Sequence, residues 1–263
     1  MKKDRTIEDL DSYLGNFSRE IKRRVNSKNK LKILDAGCGY GLVMAGLTKK
    51  FGNKIELSGY NKQKEDGTIK DFKERSTRKG ILTKEEIKKI NLPKIVYLDA
   101  NKKLLFKDEE FDFIYSLASV YLYKDKVAFL QECNRILAKG GTARIHLFEI
   151  KKDKVAFEDL RKTDMKWYLK IFEDKKSVSG IDYFSKTKGV KIKFGRRKDN
   201  GHTIVYLEIK KQPQLDFNLK LIGTGEFDSK SHGFRSIYKI KHWSLILQQK
   251  IYISTDILYS MEN

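Results

Sequence analysis

Proline is almost missing from this chain, with two residues in 263. So few fixed X–Pro joints exclude a proline-rich linker or recognition tract. Cysteine is equally scarce. Cys38 and Cys133 are too few for a disulfide framework, and no CxxC pair or Cys/His cluster offers zinc its ligands. Long apolar runs are also lacking: none approaches the roughly eighteen residues that a membrane helix needs. The opening stretch MKKDRTIEDLDSYLGNF sets charges where a signal peptide requires an apolar core. These absences argue against a membrane span and export, and the expected location is a reducing cytoplasm.

What is present points to a folded enzyme-sized protein. The hydrophobic share is 40% and the aromatic share 11%, too high for wholesale disorder. The length suits one sizeable core with a modest appendage. Net charge is +21, which raises the question of a polyanionic partner. The excess is spread evenly, with 32 basic against 21 acidic residues in 1–150 and 24 against 14 in 151–263. Abundant Lys, Ile, Asn, Tyr and Phe with little Pro is also what an A/T-rich coding sequence produces, so the charge does not by itself name a partner.

Along the chain, Ile7, Leu10, Tyr13, Leu14 and Phe17 recur near helical spacing, which predicts a cap helix over 5–27. LKILDAG reads as a strand ending in a glycine turn, and LVMAGLTKKFG as a helix stopped by Gly52. KIELSGY, KIVYLDA, FDFIYSLA and TARIHLF are further strands. The polar stretch 61–91 reads as helices broken around Gly80, and DKVAFLQECNRILAKGG as a helix with a glycine C-cap. From 149 to 184 the pattern is helical and rich in aromatics, including Trp167, Tyr168 and Phe172. GVKIKFG and HTIVYLEIKK, joined by the basic turn RRKDNG, predict an antiparallel edge hairpin. Alternating strands and helices imply an α/β fold, a doubly wound and mostly parallel sheet with helices on both faces. The last fifty residues read as a small β-rich extension of further strands with room for a helix.

The stretch LDAGCGYGL places Asp35 two residues before Gly37, followed by Gly39 and Gly41. A dinucleotide fingerprint, GxGxxG, would need a third glycine at position 42, which is Leu42. The spacing is D-x-G-x-G-x-G instead. Together with the later block FDFIYSLASVYLYKDKVAFLQECNRILAKGG, it resembles the class I methyltransferases that use S-adenosylmethionine, with their Rossmann-like seven-stranded sheet. The resemblance covers about residues 31–148. A phosphate-free ligand of amino acid, ribose, adenine and sulfonium also suits a bare backbone that can close around it.

The resemblance implies a cofactor site residue by residue. Asp35, with Gly37, Cys38, Gly39 and Gly41, would lie against the methionine end, where a carboxylate favours the cationic groups. The family's second strand usually ends in an acid that takes the ribose hydroxyls. Here Asn61 stands in its place, so one acceptor remains without charge assistance. Asp99 and Ala100 match the step that meets the adenine, and an aspartate there can alternatively cap the next turn. Ser116 and Leu117, after the fourth strand, should lie near the ligand because open α/β sheets bind at the carboxyl ends of their strands.

The acceptor is less legible. Methyl transfer is an in-line displacement in which alignment and desolvation supply much of the rate, so a general base is not required. SLAS stands where exocyclic-amine methyltransferases carry an Asn/Asp-Pro-Pro-aromatic step, which disfavours that substrate group. Tyr121 and His146 are the candidates to orient or deprotonate a nucleophile, with Tyr123 beside them. Three functions compete: transfer to a small molecule, the leading reading; an RNA methyltransferase using Arg23, Arg24, Lys28, Lys193 and Arg196–Lys198 as a groove; and a non-catalytic scaffold. The expected organisation is a methyltransferase domain over 1–211, with an aromatic lid insert at 151–184, and a C-terminal extension over 212–263.

Overall fold

The structure is a computed structural model that describes residues 4–27, 30–120, 123, 126–150, 170–173, 176–179, 184–196, 201–213, 223–228 and 233–238. Two short helices, α1 (Ile7–Tyr13) and α2 (Phe17–Val25), precede the first strand. The single cap helix expected over 5–27 is therefore divided. Gly15 and Asn16 both take left-handed backbone angles, φ 68° and 56°, which no helix interior accepts.

Next come β1 (Leu31–Ala36), α3 (Leu42–Phe51), β2 (Ile55–Asn61), α4 (Ile69–Arg78), α5 (Lys84–Lys89), β3 (Lys94–Tyr97) and β4 (Phe111–Ser116). Local chemistry explains the helix boundaries. Thr68 with Asp71 and Thr83 with Glu86 form reciprocal capping boxes at the starts of α4 and α5. Gly80 lies between these two helices, as expected. Gly52, at φ 54°, closes α3.

The chain continues through α6 (Lys126–Ile136) and β5 (Leu137–Ile150). Here the sequence expectation needs correction, because α6 stops before the paired glycines and LAKGG opens the strand. Leu137 pairs with Phe111, and a bulge between Phe111 and Phe113 absorbs the irregularity. Gly141 is needed there, since a Cβ would press on the backbone oxygens of Ala138 and Asp112. His146 consequently sits inside a longer strand rather than at its end.

The helical expectation for 149–184 holds at its last residue, Phe184, and fails elsewhere where that stretch is described. Its first residues, Glu149 and Ile150, extend β5, and β6 (Lys170–Glu173) pairs antiparallel with β7 (Lys176–Ser179). Trp167 and Tyr168 lie outside the described residues. Then follow β8 (Val190–Arg196) and β9 (Thr203–Lys210), the antiparallel hairpin that the sequence predicts, and a second hairpin of β10 (Gly223–Asp228) and β11 (Gly233–Tyr238).

The main sheet has the order β3-β2-β1-β4-β5-β9-β8, parallel through β5 and antiparallel at β9 and β8. It is a Rossmann-like α/β fold. All six residues of β4 are buried, because this central strand is covered on both faces. One core layer joins Leu34, Tyr60 and Ile114 to Phe129, Leu130, Cys133 and Ile136 of α6. The other joins Ile33, Leu57, Phe113 and Tyr115 to α1–α4 through Leu10, Phe17, Ile21, Met44, Leu47 and Phe72. Chain order reverses between β1 and β4, and a doubly wound sheet opens its ligand crevice at such a reversal.

Candidate functional site

The carboxyl ends of β1, β2 and β4 bring most of the singled-out residues together. The loop after β1 is pinned by its own amides. The Gly37 and Cys38 N–H groups both donate to the Tyr60 carbonyl at 3.0 Å, the Gly39 N–H to Asn61 Oδ1 at 2.8 Å, and the Gly41 N–H to the Cys38 carbonyl at 2.9 Å. Phosphate-binding loops present such N–H groups to the anion. Here four of them are already spent within the chain, so the loop is a poor cradle for a pyrophosphate.

Beneath the loop lies an acid. Asp35 is 3% exposed, and Oδ2 accepts from the Tyr115 hydroxyl at 2.9 Å. Burial pushes its carboxyl up to about 7, with the Tyr115 hydrogen bond opposing the rise. A carboxyl poised at neutral pH ionises when a cation approaches. Cys38 turns away from solvent, with Cβ and Sγ packed where a side chain on Gly59 would stand, and burial together with the Asp35 charge pushes its thiol well above the ordinary range. It is an inert packing residue rather than a nucleophile.

The glycines divide by task. Gly37 (φ 84°) has Ser119 pressed against it, so that a Cβ would meet Ser119 Oγ at 2.6 Å. Gly41 (φ 76°) starts α3 and lies under Phe72 of α4. Gly39 (φ 52°) has nothing within 4 Å of where its Cβ would be. The loop is therefore open at Gly39 and closed at its two flanks.

Asn61, at the end of β2, is buried and faces the loop. Its Nδ2 donates to the carbonyls of Gly39 at 2.9 Å and Gly67 at 3.0 Å, while Oδ1 accepts from Gly39. Asp99 follows β3 and turns onto its own chain: Oδ1 accepts from the Asn101 backbone at 3.0 Å and from its amide at 2.7 Å. These bonds, the backbone one foremost, hold its carboxyl below the usual range. Ala100 is buried beside it.

On the β4 side the turn SLAS folds back over β1. Ser116 and Ser119 both donate to the Ala36 carbonyl, at 2.9 and 2.8 Å. The Tyr123 hydroxyl donates to Ser119 Oγ at 3.3 Å and stands 3.1 Å from the Tyr60 hydroxyl. Leu117 packs into the layer that holds Phe113 and Tyr115. Ala118 takes φ 51°, and its N–H donates to His146 Nδ1 at 3.2 Å. His146 is buried beside the Tyr13 ring, 5.5 Å between centroids, and next to a bulge in the β5–β9 ladder that aims it. With Nδ1 accepting, its neutral ring carries the proton on Nε2. Tyr121 lies outside the described residues.

Three of these residues escaped the sequence. Ser119, Tyr60 and Tyr115 carry no motif; Tyr60 and Tyr115 matter because of where the sheet register sets them, and Ser119 because the turn after β4 folds back onto Ala36. Asp35 pairs with Gly59 on one side and Tyr115 on the other. The clue available was a run of hydroxyl residues at the ends of apolar strands.

The arrangement fits S-adenosylmethionine at one end and departs from it at another. A buried acid below an open glycine, with few amides left for phosphate, suits a compact cationic ligand. Asn61 departs, because its amide is committed to the chain.

Residues 34–145 match the family model described as a methyltransferase domain. No curated protein matches the sequence. Among solved structures, the chain is similar to a SAM-dependent methyltransferase from Aquifex aeolicus, with 18% identity, 77% of this chain and 96% of that one covered, and a TM-score of 0.44. It is similar to a protein from Galdieria sulphuraria described as a sarcosine dimethylglycine methyltransferase, at 17% identity, 78% and 85% coverage and a TM-score of 0.48. A third, described as an S-adenosyl-L-methionine-dependent methyltransferase from Methanococcus maripaludis, shares 18% identity over 81% and 98% of the two chains, with a TM-score of 0.44.

Proposed function

We propose that this chain, whose residues 34–145 match the methyltransferase-domain model, is a class I S-adenosylmethionine-dependent methyltransferase that transfers the methyl group to a small-molecule acceptor. The observation that carries the cofactor end is the pinned glycine loop over Asp35, which leaves room for a cation and little for a phosphate. Bound S-adenosylmethionine supplies an electrophilic methyl carbon. Held there, it would deliver that methyl to an acceptor lone pair and leave as S-adenosylhomocysteine.

In this reading Asp35 and the open face at Gly39 hold the methionine end, Asp99 and Ala100 border the adenine, and Ser116 and Leu117 form the wall from β4. His146 acts by holding the turn after β4 through Ala118 rather than by taking a proton, since its Nδ1 is engaged there. We assign the catalytic unit to residues 1–211 and treat 212–263 as an addition to it.

A small acceptor is favoured over RNA because the basic groove loses two of its members. Arg24 donates to the Gly140 carbonyl at 2.8 Å and lies 3.8 Å from Asp112, and Lys193 pairs with Glu208 at 2.9 Å. No described helix is long and apolar enough to cross a membrane.

Calorimetric titration with S-adenosylhomocysteine and, separately, NADH tests the cofactor assignment. Saturable binding of the first without the second is expected. Binding of NADH in its place would overturn it. Screening small nucleophiles before RNA, with S-adenosylhomocysteine release as the readout, then tests the acceptor class; turnover on RNA alone would sink the small-molecule reading.

A further inference from the structure

We infer that Asn61 is a positioning residue that locks the glycine loop, and that the end of β2 offers the cofactor's ribose diol no acceptor pair. This rests on the cofactor reading above and concerns how that ligand is held.

An amide side chain has two N–H donors and a carbonyl with two lone pairs. Both donors of Asn61 are used, on Gly39 and Gly67, and one lone pair is used by the Gly39 N–H. A vicinal diol presents two O–H donors side by side, which a carboxylate takes with its two oxygens. Asn61 has at most one lone pair left for them, and it belongs to a neutral group. The residue is also only 3% exposed.

The segment after β2 is shaped around this lock. Gly67 (φ 147°) lies so close to the Gly39 carbonyl that any side chain there would collide with it. The Tyr97 hydroxyl, from β3, donates to the Gly67 carbonyl at 3.4 Å. The Leu98 N–H donates to the Asn61 carbonyl at 2.9 Å. Asn61 therefore ties together the glycine loop, the 64–67 turn and the end of β3. A carboxylate in its place would keep one oxygen on the Gly39 N–H but set the other against the carbonyls of Gly39 and Gly67, both acceptors, with no proton between them. The lock requires an amide.

The decisive comparison is the affinity of the unaltered protein for S-adenosylhomocysteine and for its 2′,3′-dideoxy analogue, measured by calorimetry. A ratio within about threefold is expected, whereas hydrogen bonds to a charged acceptor would make the analogue at least about tenfold weaker. A ratio above tenfold would overturn the inference while leaving the cofactor assignment intact. Failure of both ligands to bind would remove the cofactor assignment and the inference with it. In Asn61→Asp, affinity for S-adenosylhomocysteine is expected to fall about tenfold with the ratio still near unity. Tighter binding by that variant, selective for the intact diol, would show that the position faces the ribose after all.

Discussion

Asp35 concentrates the residue-scale physics of the site. It is an acid inside an apolar strand, partnered by the Tyr115 hydroxyl, and burial pushes its carboxyl from 3.8 up to about 7. Between these values the unfolded chain has released the proton and the folded chain still holds it, so stability falls as pH rises across the window from about 4 to 7. The shift corresponds to about 4 kcal/mol as an upper bound. Asp35→Asn keeps the shape and removes the titration. Denaturant unfolding followed from pH 4 to 8 should show a flatter profile for the variant, and an unchanged slope would place the titrating group elsewhere. The acid itself was legible in the sequence, because DAGCGYG announces it. Its raised pKa was not, since that depends on Tyr115, brought beside it from eighty residues away by the pairing of β1 with β4.

At the scale of elements, the turn after β4 shows how a strand end becomes part of a site. Ser116 and Ser119 anchor it to the Ala36 carbonyl, His146 accepts from its Ala118 N–H, and Ala118 completes the reversal with a left-handed backbone. A non-glycine residue there costs about 1 kcal/mol. Ala118→Gly should relieve most of it and raise the melting temperature by roughly 1–3 °C, with the hydrogen bond to His146 retained. A drop on thermal unfolding would mean that the methyl group packs usefully despite the strain. Periodicity made the existence and order of these elements readable. It misplaced the end of α6 and took 149–184 for helix, because a bulge and a short two-stranded ribbon are settled by pairing partners far along the chain.

Across the whole molecule, the N-terminal helices are bound to the far half of the sheet by a buried charge cluster. Arg144 of β5 donates to the carbonyls of Leu14 and Gly15 at 2.7 and 2.9 Å, and pairs with Glu208 of β9 at 2.8 Å and with Glu20 of α2. Burial works against ionising Glu208, yet the neighbouring Lys193 and Arg144 hold its carboxyl below the usual range. Lys210 joins Glu20 from the other side. Removing one member of such a cluster leaves the others charged and buried. Arg144→Ala should cost about 3–5 kcal/mol and open the segment before β1 to proteases. Arg144→Lys should not restore it, because an ammonium cannot span four acceptors arranged in a fan. Wild-type protease resistance in Arg144→Ala would show that apolar packing of Leu10, Phe17 and Ile21 suffices.

The sequence by itself determined the alternation of strands and helices, the edge hairpin, the glycine loop with its acid and the match of residues 34–145 to a methyltransferase-domain model. Each of these is encoded within a few neighbouring residues, where spacing and backbone freedom decide. Only the tertiary structure decided what the side chains of Asn61, Asp99, Ser116 and His146 do. A strand-end polar group has several partners within its reach, and the choice among them follows from which loops the sheet order sets side by side. The same physics turned part of the basic charge inward, since Arg24, Arg144 and Lys193 find their carboxylates and carbonyls only after β4, β5, β8 and β9 have paired.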